Sequence, residues 1–141
     1  MLSPLRGLRL FMRAFVLLIV LLVPALSEAQ ERRIGTPAFL KCDRSEVTLY
    51  DGQVFGYRRR RGKTFLRVRT SFDTTEQVTI RHQGTDDPSM FFLLNGDPFT
   101  PGDWKRIEKR KGVLKTGMHA NIWVCRDNPS IQPVVDWRPP S

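Results

Sequence analysis

The chain has 141 residues, with 23 Lys and Arg against 14 Asp and Glu, a formal net charge of +9 and a sequence pI near 10.4. Once an N-terminal leader is set aside, that length holds one domain with a single core and not two. Two widely separated cysteines and two histidines exclude a C-x-x-C redox pair, C-x-x-C-H haem attachment and the common zinc spacings.

Residues 1–29 have the three parts of a secretory signal peptide. Arg6, Arg9 and Arg13 form the positive end, and an uninterrupted apolar run from Ala14 to Val23 follows. The run is too short for the roughly 20 residues that span a bilayer, and Pro24 ends it. Ser27 and Ala29 supply the small side chains of a cleavage site, so cleavage after Ala29 is expected, with no transmembrane segment left behind. Losing Arg6, Arg9, Arg13 and Glu28 takes the 23 basic and 14 acidic residues to 20 and 13, so the basic character belongs to the exported part. No arginine pair precedes the run and no cysteine closely follows it, which points to the plain secretory route.

The stretch 30–128 reads as a single antiparallel β domain. Turn signals recur at Asp51-Gly52, Arg61-Gly62, Gln83-Gly84, Asn95-Gly96, Pro101-Gly102, Lys111-Gly112 and Thr116-Gly117. Between them lie short segments rich in Val, Ile, Thr, Phe and Tyr, with no sustained helical periodicity. Strands are predicted at 46–50, 53–59, 63–69, 76–82, 90–94 and 119–125. In the third, Thr64, Leu66 and Val68 alternate with Phe65, Arg67 and Arg69; in the fourth, Val78 and Ile80 alternate with Gln77, Thr79 and Arg81. In the last, Ala120, Ile122 and Val124 oppose His119, Asn121 and Trp123. Each strand thus has one apolar face, and the opposite face of the two middle strands is cationic.

Gly56 inside a good strand predicts a bulge or bend. The segment 104–110 reads as a short helix or an irregular edge. The last stretch, 129–141, holds four prolines and is expected to be an extended tail lying against the domain through Val134, Val135 and Trp137. A small antiparallel barrel follows, of the oligonucleotide/oligosaccharide-binding (OB) type as first choice and SH3-like as second. Cys42 and Cys125, one near each end of the exported part, are expected to pair in an oxidising compartment.

The run YRRRRGK, 57–63, sits where the second and third predicted strands turn. Its Tyr57, Arg58, Arg59, Arg60, Arg61 and Lys63, with Arg67, Arg69 and Arg81 on the outward face, form the candidate binding set. Trp123, Phe65 and Tyr57 are the aromatics that would interleave with them. Planar guanidinium forks suit phosphate and carboxylate, so the expected partner is an acidic envelope polymer, a lipid head group or an acidic protein. Nucleic acid is a poor target outside the cytoplasm.

His82, His119, Met90 and Met118 are the borderline metal donors, and they lack ligand spacing on one element. Asp86 and Asp87 read as turn residues rather than a calcium loop. No nucleophile, base or phosphate-cradling glycine loop has a recognisable context, so no cofactor, metal or enzymatic activity is expected. The reading is an exported binding protein of the bacterial periplasm. Its rival is an assembly subunit that docks through an apolar edge and the 129–141 tail.

Overall fold

Fourteen consecutive residues, Val47–Arg60, form strand β1, merging two predicted strands across Asp51-Gly52. That pair is not a turn. A Cβ on Gly52 would lie 2.0 Å from the Arg69 carbonyl oxygen, so the glycine is needed for close approach of the neighbouring strand. The irregularity predicted near Gly56 is present: the register shifts between Val54 and Gly56, leaving Phe55 as the extra residue of a bulge.

The computed structural model describes residues 35–82 and 87–140, so the expected signal peptide and the predicted turn at Gln83-Gly84 lie outside the described residues. After β1 come β2 (Lys63–Thr70), β3 (Thr75–Arg81), β4 (Phe92–Leu94) and β5 (Asp97–Pro98). They are followed by a one-turn helix α1 (Trp104–Ile107), β6 (Glu108–Arg110), β7 (Val113–Leu114), β8 (His119–Cys125) and β9 (Val134–Arg138). All belong to one compact unit, Thr36–Ser141. Seven strands form one sheet in the order β3-β2-β1-β8-β9-β4-β5, and β6 and β7 form a separate hairpin. Every pairing is antiparallel except β4 with β9. The all-β expectation holds, with a seven-stranded sheet that is not closed. A hydrogen bond from the Arg81 main-chain N–H to Gln132 Oε1, 2.7 Å, ties β3 to the segment before β9.

Two hairpins turn on residues with left-handed backbones: Arg61 and Gly62 (φ 48° and 70°) between β1 and β2, and Asn95 and Gly96 (φ 54° and 88°) between β4 and β5. Both turns were predicted, because two-residue loops need positive φ at both positions.

The tail expected over 129–141 is instead part of the sheet across 134–138, where β9 lies between β8 and β4. Pro133 stands just before that strand and Pro139 and Pro140 just after it, so five consecutive N–H donors remain for the ladders. Val134, Val135 and Trp137 are buried, as expected of the contact but not of its form. Residues 134–138 are therefore committed to the sheet.

The sheet's two faces bury different clusters. On the inner face Leu66, Val68, Val78, Ile80, Phe92, Ile122, Val135 and Trp137 pack with Ile107 and Met118 into the main core. On the outer face a smaller cluster joins Trp123, Leu93 and Val134 to Leu40, with Cys42 and Val47 at its margin. The expected disulfide joins Cys42 to Cys125 at the end of β8, with Cα atoms 5.9 Å apart. It anchors the segment before β1 to the sheet beside that cluster.

Candidate functional site

Pairing register decides which cations meet. Arg60 lies opposite Lys63, and Lys63 opposite Arg81; Arg58 lies opposite Phe65, Gly56 opposite Arg67, and Gln53 opposite Arg69. Alternation along each strand then places Arg58, Arg60, Lys63, Arg67, Arg69 and Arg81 on the outer face of three adjacent strands, all exposed. The bulge adds an aromatic: Phe55 is 48% exposed, with the Arg67 and Arg69 guanidinium carbons 4.8 and 5.8 Å from its ring centre. Among the described residues none of these cations pairs with a carboxylate; the salt bridges go to Arg59, Arg106, Arg126 and Arg138. Like charges directly opposite each other, as at Lys63 and Arg81, cost stability.

Tyr57 and Arg59 have the opposite parity and turn inward. Arg59 grips the buried Glu108 at the start of β6 with two bonds, Nε to Oε1 at 2.8 Å and Nη2 to Oε2 at 2.6 Å. The Tyr57 hydroxyl donates to Oε1 at 2.5 Å, and the Gly112 N–H reaches the same oxygen at 3.1 Å. The Trp104 ring lies 4.0 Å from the Arg59 guanidinium carbon. Burial pushes the Glu108 carboxyl up, but the bonds from Arg59, Tyr57 and Gly112 outweigh it and hold it below its ordinary value. The Glu108 bond raises Arg59 in turn, and burial followed by the Glu108 bond raises Tyr57 far above its ordinary range. A carboxylate with four donors is a poor proton acceptor, so this cluster joins the β6–β7 hairpin to β1 and offers no general base.

His82 is held by Thr64 (Nε2 to Oγ1, 3.0 Å) and packed edge-on to Phe92. Burial, then the charge of Arg59, lowers its pKa, which favours the neutral ring. Among the described residues one group has metal-like proximity: Cys42, Cys125 and Asp127. Its two sulfurs are joined to each other, so it presents no thiolate.

Trp123 shares the outer face with the cations, as its parity predicts, opposite Leu49 on β1. It is nonetheless 2% exposed, packed in the Leu40 cluster rather than beside arginines. Arg61 is exposed at the β1–β2 turn. No family model matches this chain, and no curated protein or solved structure was found similar to it.

The sequence reading missed Glu108, Trp104 and Phe55. Phe55 was hidden because a bulge reverses parity locally. The inward turn of Arg59 had a signal: a two-residue turn at Arg61-Gly62 fixes the register, and Arg59 then falls opposite the inward Thr64. Glu108 had none, since its pairing with Arg59 spans 49 residues.

Proposed function

We propose that this chain is an exported, non-enzymatic binding protein of the cell envelope, a small, partly open barrel of the OB type, whose outer cationic face engages an acidic component. The supporting observation is the convergence of Arg58, Arg60, Lys63, Arg67, Arg69 and Arg81 on one exposed surface with no carboxylate partner among the described residues. Guanidinium groups around an exposed phenyl ring suit an acidic polymer, a lipid head group or an acidic protein surface. The disulfide fits an oxidising, exported location such as the periplasm. Among the described residues no helix is long and apolar enough to cross a membrane.

The test is retention of the disulfide-bonded protein by phosphatidylglycerol vesicles as ionic strength rises from about 0.01 M to about 1 M, over which the screening length falls from about 30 Å to about 3 Å. Retention is expected to fall steeply with salt and to be lost in the Arg67→Gln/Arg69→Gln/Arg81→Gln variant, with phosphatidylcholine vesicles retaining nothing. Salt-independent retention, or retention unchanged in that variant, overturns the reading.

A further inference from the structure

Two basic runs far apart in the chain, 58–61 and 109–111, meet at one end of the molecule. Arg58, Arg59, Arg60, Arg61, Lys111 and Gly112 line a single open concavity of about 450 Å³. One of its cations is already neutralised, because Arg59 is bound to Glu108. Among the described residues no carboxylate pairs with Arg58, Arg60, Arg61 or Lys111. Four like charges around so small a space repel one another, and a compact anion of matching charge relieves that repulsion.

The backbone on both sides is held in place. Arg61 and Gly62 hold the β1–β2 tip in a left-handed turn, and Gly112 (φ 79°) does the same on the β6–β7 side. The Gly112 N–H is bonded to Glu108, which is held in turn by Tyr57 and Arg59 of β1, so one buried carboxylate sets the distance between the two tips. A Cβ at position 112 would lie 3.5 Å from the Arg59 carbonyl oxygen, so the two tips lie close together. The volume lies at the small end of ligand sites, and among the described residues only arginine, lysine and glycine line it, which suits a compact anion.

We infer that this concavity is a site for a compact phosphate-bearing group with two or more negative charges, such as a polyphosphate or a phosphomonoester head group. The inference rests on the proposed function for the sign of the partner's charge, and adds a pocket that selects charge density where the open face selects charge alone.

Soluble inorganic tripolyphosphate, measured by titration calorimetry, tests the pocket. Phosphatidylcholine vesicles doped to equal surface potential with phosphatidic acid or phosphatidylglycerol test whether the group is presented by a membrane. Tripolyphosphate is expected to bind one to one. The exposed-site double variant Arg61→Gln/Lys111→Gln should weaken it by about tenfold or more, the worth of one or two charge-assisted contacts. The Arg67→Gln/Arg69→Gln/Arg81→Gln variant should change it by less than about threefold, since those charges are screened at a distance. Phosphatidic acid should be preferred over phosphatidylglycerol by the native protein and not by the Arg61/Lys111 variant; equal retention of the two by the native protein, with tripolyphosphate still bound, assigns the site to a soluble phosphate. Glu108→Gln separates a positioned pocket from diffuse attraction: it makes the protein more positive, yet it should weaken tripolyphosphate by releasing one wall. Absence of tripolyphosphate binding, or binding indifferent to Arg61 and Lys111, overturns the pocket. If phosphatidylglycerol retention survives that result the cationic-face reading stands, and if it does not, both fail.

Discussion

The outer face of the sheet has two halves built by the same alternation and treated in opposite ways. Over β8, β9 and β4, outward Trp123, Val134 and Leu93 are roofed by Leu40, on a segment stapled to β8 by Cys42–Cys125. Over β1, β2 and β3, outward Arg58, Arg60, Lys63, Arg67, Arg69 and Arg81 stay in solvent. Strand parity assigns a side chain to a face, but what crosses the face decides whether it becomes core or surface. A tryptophan and an arginine on the same side of one sheet therefore had different fates.

Removing the staple should break this contrast most. Cys42→Ser/Cys125→Ser opens a loop with a sequence separation of 83, which the chain-entropy treatment values at about 4 to 5 kcal/mol. Urea unfolding is expected to show a loss approaching that size. Trp123 should become accessible to a soluble quencher before global unfolding, while the cationic half keeps its hydrogen-exchange protection. Simultaneous loss of both halves would show that the roof is not a separate unit.

Glu108→Gln sharpens the comparison from the other side, because it leaves the roof intact and loosens the β6–β7 hairpin from β1. Arg59 retains some solvent contact, so the expected loss is about 2 to 3 kcal/mol, below that for a fully buried pair. The pH dependence follows from the lowered carboxyl. The unfolded chain takes up a proton first as pH falls, so the native contribution is present above the ordinary value of 4.5 and is lost as pH falls through the lower folded value. Stability of the native protein should therefore decline below about pH 5 more steeply than that of Glu108→Gln.

The smallest expected effect carries the sign that marks the open half. Arg81 lies opposite Lys63, so Arg81→Thr should leave stability unchanged or raise it by about 0.2 to 0.5 kcal/mol. A drop of more than about 1 kcal/mol in denaturant unfolding would mean that the guanidinium packs rather than projects.

The alternation in β2 and β3 was legible because Leu66, Val68, Val78 and Ile80 repeat every second residue, and it placed Arg67, Arg69 and Arg81 on one side. The disulfide was legible from the cysteine count and the expected export. Strands β5, β6 and β7 were not, since two or three residues give no period to detect. Strand β9 was obscured by the prolines that bracket it, which read as a continuous extended tail although none falls within it. Within the binding set, Tyr57 and Arg59 were grouped with their neighbours by sequence adjacency, whereas register sends them inward to Glu108.

The place of β9 carries a consequence for assembly. Among the described residues the short β4–β5 pair joins the rest of the sheet through β9, and by a parallel ladder rather than a hairpin. Residues 92–98 thus take their place beside residues 134–138, some forty positions later in the chain, which pair in turn with β8. The four strands β3, β2, β1 and β8 can form an antiparallel platform first, and Phe92 with Trp137 would enter the core together as the closing event.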